Sequence, residues 1–133
     1  MKDTFIVSPL SIKKSKDRNA FIKEFEADKS IISFNDNEYL LDEVYLTYKI
    51  DSEKVYKQAI TLVIKTIDIK THKFDCPDDY SKFEIIIDTT RYDLGRNSFN
   101  FFSEIPVNSK YFSLVYYDNN IRKVVNFKEK VVE

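Results

Sequence analysis

The sequence predicts an all-β protein: one antiparallel β-sandwich of about seven or eight strands, Ig-like or jelly-roll-like. Two observations carry this prediction. Apolar and polar residues alternate with period two in several segments, and turn-forming residues separate these segments at short, even intervals. Of the 133 residues, 43% are hydrophobic, with 11 Phe and 9 Tyr, which is ample for one core. We therefore expect a single β-sandwich domain over residues 1–133.

The clearest predicted strand runs from Leu40 to Ile50, and only Asp42 interrupts its apolar face. Residues 60–69 form a second strand, in which the apolar face changes phase at Lys65-Thr66. That phase change predicts a β-bulge or a strand that passes from one sheet to another. Further strands are predicted at 5–12, 31–34, 83–87, 99–102, 111–117 and 121–127.

Turn residues lie between these strands. Asp118-Asn119-Asn120 predicts a tight hairpin because Asn tolerates positive φ. The segment near 17–28 has two interpretations: a short helix capped by Asp17 or Asn19, or a strand over residues 21–26. Other turns are predicted at Asn35-Asp36-Asn37, Cys76-Pro77-Asp78, Leu94-Gly95-Arg96 and Pro106-Val107-Asn108-Ser109.

Composition excludes most familiar catalytic motifs. With one glycine, the chain has no dinucleotide fingerprint, no Walker A loop and no Gly-x-Ser-x-Gly elbow. With one His and one Cys, it has no zinc finger, no two-histidine metalloprotease motif and no internal disulfide. We therefore predict that the protein is not an enzyme, with no catalytic residues, no cofactor and no metal.

The densest group of potential ligands is the segment from His72 to Asp79, which holds an imidazole, a thiol and three carboxylates. Its spacing matches no known metal-binding loop, and it lacks the glycine that an EF-hand requires. A nucleophilic pair of His72 and Cys76 would need contact between side chains four residues apart on a strand or turn. The favoured interpretation is a solvated turn between two strands.

Charge gives no reason to expect a nucleic-acid or membrane partner. Lys and Arg number 21 against 22 Asp and Glu. The basic run from Lys13 to Arg18 is interpreted as a solvated loop; the alternatives are a contact with an acidic protein and an OB-like site for single-stranded nucleic acid. No apolar run approaches the roughly 18 residues of a membrane span. Phe5-Ile6-Val7 is too short for a signal peptide, and the lone Cys76 gives no evidence of an oxidising compartment.

Aromatic residues are in excess on both faces of the strand at 111–117, and residues 99–102 show the same crowding. A strand that is apolar on both faces either lies inside an assembly or carries an interface patch. The alternative, to which we give equal weight, is that Tyr simply covers sheet surface well. The candidate interface residues are Tyr111, Phe112, Tyr116, Tyr117, Phe101 and Phe102.

From about Phe21 to Phe102 the chain resembles the small β-sandwich domains of phage tail, baseplate and head-fibre proteins. The resemblance lies in Asp28-Lys-Ser-Ile-Ile-Ser-Phe34, Val44-Tyr-Leu-Thr-Tyr-Lys-Ile50, Ile87-Asp-Thr-Thr and Leu94-Gly-Arg-Asn-Ser-Phe-Asn-Phe101. It implies a structural or adaptor protein of a virion, found in the particle or the host cytoplasm, that binds other virion proteins or copies of itself. Two alternatives stay open: a small inhibitor or immunity-type protein that blocks an enzyme, and a carbohydrate-binding sandwich.

Overall fold

The structure is a computed structural model that describes residues 13–14, 20–51, 54–97, 100–105 and 109–130. Side chains are described for residues 22–47, 61–97, 100–105 and 109–130. A three-residue 3₁₀ turn at Tyr80–Lys82 interrupts the strands. The strands of this part of the chain are β1 (Lys13–Lys14), β2 (Ala20–Ala27), β3 (Ile31–Phe34), β4 (Asn37–Asp51), β5 (Lys54–Asp68), β6 (Lys73–Phe74), β7 (Phe83–Ile87), β8 (Thr90–Asp93), β9 (Gly95–Arg96), β10 (Asn100–Ser103), β11 (Tyr111–Asp118) and β12 (Ile121–Glu129).

All these strands belong to one antiparallel sheet in the order β8-β7-β11-β12-β2-β4-β5-β10-β9, with β1 on β2, β3 on β4 and β6 on β5. Its two end strands, β8 and β9, are separated in the chain only by Leu94. The sheet therefore nearly closes into a barrel, and the Ser103 hydroxyl strengthens the closure by donating to the Asp93 carbonyl at 2.6 Å. The predicted all-β, antiparallel class is confirmed, but the strands form one curved sheet rather than two stacked ones.

The barrel is not a simple meander. We count β8 and β9, which only Leu94 separates, as one strand. Then β7, β8–β9 and β10 are neighbours in chain order, and the next strand, β11, lies on the other side of β7. This spatial order, fourth-first-second-third, is the Greek-key arrangement. Closure serves the same purpose as in other β-barrels, because it leaves fewer strand edges open to pairing with another chain.

Two of the sequence-based interpretations need correction in the N-terminal region. Residues 20–27 form strand β2, so the helix predicted near 17–28 is wrong for that part, and the strand alternative holds. Lys13–Lys14 pairs with Ile22 and Phe21 as strand β1 rather than lying in a loop. The predicted strand at 5–12 and the remainder of the basic run, residues 15–18, lie outside the described residues.

The irregularity predicted at Lys65-Thr66 corresponds to a bulge, but the bulge lies on the neighbouring strand, where Asp42 is the extra residue. Strand β5 itself keeps its alternation, because Leu62, Ile64 and Thr66 are all buried. Leu41 pairs with Thr66 and Glu43 pairs with Lys65, which leaves Asp42 unmatched. Because a bulge reverses the alternation of faces, Leu40 lies on the outer surface, where it is 38% exposed, although the sequence predicted it inside. The polar residue that interrupted the apolar face was therefore the bulge itself.

The hairpin predictions are confirmed by their backbone angles. Asn35 and Asp36 join β3 to β4 with φ of 51° and 62°, and Asn119 and Asn120 join β11 to β12 with φ of 52° and 64°. Two consecutive residues with positive φ are the requirement of a type I′ turn, whose twist suits a two-residue hairpin. Asn and Asp accept this conformation at less cost than most residues.

Aromatic rings fill the barrel. Phe83 lies at the centre of one group, with ring centroids 5.0 Å from Phe34, 5.0 Å from Phe101 and 4.7 Å from Tyr116. A second group joins β11 to two further strands, β12 and β2, with Phe112 stacked on Phe127 at 4.7 Å and meeting Phe25 edge-on at 4.9 Å. Offset and edge-to-face pairs of this kind add to the free energy gained from burial alone.

One buried carboxylate joins the two hairpins at one end of the barrel. Asp118 accepts a hydrogen bond from the backbone N–H of Asn35 at 3.1 Å and another from Lys123 Nζ at 2.9 Å. The same Nζ also donates to the Ser33 carbonyl at 3.3 Å. Asp118 therefore links β11 and β12 to the turn between β3 and β4.

This linkage predicts a specific dependence of stability on pH. The hydrogen bonds from Lys123 and Asn35 hold the pKa of Asp118 below its ordinary value of 3.8. A lowered pKa in the folded state stabilises the fold above pH 3.8, and this contribution is lost as pH falls through the folded-state pKa. We expect Asp118→Asn to lower the urea midpoint at neutral pH, and the gap from wild type to close below pH 3.8. A gap that stays constant down to about pH 2 would contradict this.

Candidate functional site

Three of the six residues predicted at an interface lie in the core. Phe101, Phe112 and Tyr116 point into the barrel and are almost completely buried. On β11, Phe112, Leu114 and Tyr116 fill the barrel, whereas Tyr111 and Tyr117 on the other face are exposed and Val115 between them is buried. Phe101, Phe112 and Tyr116 reach no outer surface of the chain, because the barrel uses them for packing.

The other three predicted interface residues do lie outside, but at separate places. Tyr111 is 71% exposed at the start of β11, and Tyr117 is exposed near the opposite end of the same strand. Phe102 is exposed on β10. The six residues therefore do not form one surface, and an interface role for Tyr111, Tyr117 and Phe102 stays a prediction.

The position of the Phe102 ring explains why residue 95 is the single glycine of the chain. Phe102 pairs with Gly95 across β10 and β9, and its ring lies over the glycine backbone. A Cβ added at Gly95 would lie 2.6 Å from two carbons of that ring, which is closer than real atoms approach. On its other side Phe102 pairs with Val63, which pairs in turn with Tyr45. These side chains form an apolar row on the outer surface.

A more exposed apolar row crosses the four neighbouring strands β3, β4, β5 and β6. Ile31 on β3 pairs with Leu40 on β4, Leu40 pairs with Ile67 on β5, and Ile67 pairs with Phe74 on β6. Directly paired residues point to the same face of a sheet, so the four side chains lie side by side. Ile31 and Leu40 are exposed by more than a third, Phe74 by 50%, and Ile67 is half-buried. We call these four residues the outer apolar row.

The sequence analysis did not predict this row because the patterns of two of its strands, β4 and β6, gave the wrong positions for Leu40 and Phe74. The alternation in β4 placed Leu40 inside, and only the bulge at Asp42 turns it outward. Strand β6 has two residues, too short to show any alternation, so Phe74 appeared as part of a turn. The one available signal was the phase change in β5 that put Ile67 on the face opposite Leu62 and Ile64.

An ion pair separates the outer apolar row from the row that contains Phe102. Lys65 Nζ lies 3.5 Å from a carboxylate oxygen of Glu43 and 5.6 Å from the centre of the Tyr45 ring. Both charged side chains are partly exposed, so their contribution to stability is small. The charge pair therefore lies between the two apolar rows, and the exposed Glu38 of β4 borders the outer apolar row on its other side.

The segment from His72 to Asp79 is a tightly connected corner. Arg96 Nη2 donates to the Asp78 carboxylate at 2.8 Å and to the Cys76 carbonyl at 3.2 Å, and it also lies 3.5 Å from the Asp75 carboxylate. The Thr66 hydroxyl donates to the Asp75 carbonyl. These contacts agree with the interpretation of the segment as a turn between strands.

The reactive and metal-ligating side chains of this corner do not come together in one site. Burial raises the pKa of the Cys76 thiol to about 11, so the thiol is protonated and poorly nucleophilic near neutral pH. His72 is exposed in a left-handed conformation with φ of 58°. Within the part of the chain that the structure describes, no three His, Cys, Asp or Glu side chains group in a way that could hold a metal ion.

Two further findings bear on the class of protein. In the described residues, no helix is long and apolar enough to cross a membrane. No protein-family model matches the sequence, and no curated protein and no solved structure matches it significantly. Fold and surface therefore define the chain as an all-β protein with one nearly closed sheet and an exposed apolar row, and the resemblance to phage virion domains stays a prediction.

Proposed function

We propose that this protein is a non-enzymatic protein-binding module, a structural or adaptor component of a larger assembly. The observation that carries the proposal is the outer apolar row, in which four paired apolar side chains cross β3, β4, β5 and β6. Contiguous exposed apolar surface costs free energy in water, and on a folded chain it typically marks a site of interaction with another protein.

The row is a contact surface rather than the wall of a reaction site. Its side chains carry no polar atoms, and the nearby Glu43 and Lys65 pair with each other. Four such side chains expose on the order of a few hundred Å², while a stable interface buries about 800 Å² on each partner. A partner on the outer apolar row therefore also contacts neighbouring residues, and the row containing Phe102 is the adjacent apolar surface.

The setting that we propose is a phage or other viral particle, in which the chain serves as a head, neck or tail accessory. This part of the proposal rests on the resemblance of residues 21–102 to virion β-domains. Partners in such a particle would be further copies of the chain or other virion proteins. The alternative, an inhibitor or immunity-type protein, would use the same row as a monomer bound to one target.

Light scattering over a concentration series tests this proposal. We expect the wild-type chain to form a defined oligomer or to grow with concentration, and we expect Leu40→Ser combined with Phe74→Ser to reduce the molar mass to that of a monomer. Both residues are exposed, so the fold should tolerate the change. Ile121→Ser, on β12 and 60% exposed, is the control and should leave the mass unchanged.

Two outcomes would count against the proposal in different ways. An oligomer that persists in the double variant would show that the outer apolar row is not the contact surface. A strict monomer at all concentrations would exclude self-assembly through the row and favour the inhibitor alternative. A pull-down with wild-type and double-variant protein would then test whether the row holds a different protein.

A further inference from the structure

A shallow pocket lies on the outer face of β2, β11 and β12, away from the outer apolar row. Its volume of about 490 Å³ is within the range of about 300–1,000 Å³ that is typical of sites for small molecules. Its floor is formed by Ala27 and Phe127, whose side chains pack in the core. Tyr111, Asp28 and Asn126 line it with an aromatic ring, a carboxylate and an amide.

The aromatic side chain of the pocket is unusually accessible. Tyr111 is the most exposed large hydrophobic residue in the part of the chain that the structure describes. It pairs directly with Lys128 of β12, which places Asn126 diagonally across from it, within reach of an aromatic side chain. The face of an aromatic ring carries partial negative charge. A ligand with polarised C–H groups on a flat apolar face can therefore stack on Tyr111.

The carboxylate and the amide are held in fixed orientations. The Asn126 backbone N–H and its side-chain Nδ2 donate to the two carboxylate oxygens of Asp28 at 2.9 and 3.0 Å. The Asp28 N–H donates to the Asn126 carbonyl at 2.9 Å. The Ser113 hydroxyl donates to Asn126 Oδ1 at 2.8 Å, which fixes the direction of the amide. These groups are therefore preorganised, so a ligand would lose little affinity to ordering them.

Both groups keep hydrogen-bonding capacity for a ligand. Each carboxylate oxygen of Asp28 accepts one bond from Asn126 and can accept a second, and the Asn126 amide has a second N–H to donate. Both residues are exposed, so this capacity is open to solvent. Acceptors and a donor thus lie side by side. Two neighbouring hydroxyl groups, each of which both donates and accepts, would satisfy them.

The charges around the pocket balance, so they select no charged ligand. Glu26 lies 3.4 Å from Lys128. The hydrogen bonds from Asn126, together with the charge of Lys29, hold the pKa of Asp28 below its ordinary value of 3.8. The pocket and its margin therefore set two carboxylates beside two lysines, an arrangement that favours a neutral ligand.

We propose that this pocket binds a neutral saccharide. The apolar face of one sugar ring stacks on Tyr111, and two neighbouring hydroxyl groups of the sugar bond to Asp28 and Asn126. Saccharides combine a flat C–H face, vicinal hydroxyls and no charge, and each of these properties has its counterpart in the pocket. The inference is independent of the proposed function, because the outer apolar row crosses other strands.

NMR titration of the full chain with methyl glycosides tests this inference. The probes are methyl β-D-glucopyranoside, methyl β-D-galactopyranoside and methyl α-D-mannopyranoside. We expect at least one of them to shift the amide signals of residues 26–28, 111–113 and 126–128 in a saturable way, with a Kd on the order of 1 mM. Cyclohexanol has an apolar ring without vicinal hydroxyls, and it should bind at least about tenfold more weakly.

Two exposed tyrosines of the same strand supply the matched comparison. Tyr111→Ala should raise the Kd for the glycoside by about tenfold or more, whereas Tyr111→Phe keeps the ring and should change it by less than about threefold. Tyr117→Ala removes a ring near the other end of β11, outside the pocket, and should leave the Kd unchanged. Asn126→Ala removes the amide and should also weaken binding by about tenfold.

Three results would overturn the inference. The first is that none of the three glycosides shifts amides of the pocket at about 50 mM. The second is that Tyr111→Ala and Tyr117→Ala change the Kd equally, because stacking on Tyr111 would then be absent. The third is that cyclohexanol binds as well as the glycosides, because recognition of the hydroxyl groups would then be absent.

Discussion

Replacing Phe112 with alanine is expected to lower the free energy of unfolding by about 3–5 kcal/mol. Phe112 stacks on Phe127 and meets Phe25 edge-on inside the barrel, so truncation removes both ring contacts and leaves a cavity. The three rings belong to β11, β12 and β2, strands that are joined side by side in the sheet. Loss of the central ring therefore weakens the packing of three strands at once.

Urea or guanidinium unfolding measures this effect, and the neighbouring residue supplies the control. Tyr111 is 71% exposed, so Tyr111→Ala should change the free energy of unfolding by no more than about 0.5 kcal/mol. The two variants, Phe112→Ala and Tyr111→Ala, also distinguish a role in core packing from a role in binding. If Phe112→Ala weakened assembly while stability stayed near that of wild type, Phe112 would belong to an interface and its position in the core would be contradicted.

Replacing Glu129 with glutamine is expected to cost about 2–4 kcal/mol, although the shape of the side chain is nearly unchanged. Lys23 points into the barrel and its side chain is only 6% exposed. Its Nζ lies 3.3 Å from a carboxylate oxygen of Glu129, and the two residues flank Phe25 on the inner face. Removing the carboxylate charge leaves the ammonium group buried without its counter-charge, and burial of an isolated charge is costly.

A second substitution tests this explanation. Lys23→Met removes the buried charge, so adding it to Glu129→Gln should recover a large part of the lost stability. Glu26→Gln is the control, because Glu26 pairs with Lys128 at a similar distance on the exposed surface and its loss should cost less than about 1 kcal/mol. Equal losses for Glu129→Gln and Glu26→Gln, or a double variant weaker than Glu129→Gln alone, would contradict this account.

The local elements of the fold could be predicted because they depend on short-range rules. Alternation identified the strands at 31–34, 83–87, 111–117 and 121–127 within a few residues of their bounds. Two Asn- and Asp-rich turns were correctly predicted because positive φ is a property of the residues themselves. The all-β class follows from the same alternation. Strands β6, β8 and β9 were not predicted, since segments of two to four residues carry too little periodicity.

The candidate surfaces could not be predicted, because each depends on contacts between distant parts of the chain. The outer apolar row joins Ile31 to Phe74 through three strand pairs, and the bulge at Asp42 decides that Leu40 takes part in it. Likewise, β2 pairs with β4 through Ala20–Glu24 on one edge and with β12 through Phe25–Ala27 on the other. Neither the register between strands nor the choice of partner strands is encoded in a local pattern.

By itself, then, the sequence determined the all-β class, most of the longer strands, two hairpin turns and the absence of familiar catalytic motifs, because side-chain chemistry and backbone preference act over a few residues. Only the tertiary structure decided that the sheet curves into a nearly closed barrel, since Leu94 alone separates the strands at the two ends of the sheet. It also decided which aromatics are exposed. On a strand with two apolar faces, the face that packs inward depends on how the whole sheet curves, which is why Phe112 lies in the core and Tyr111 in water.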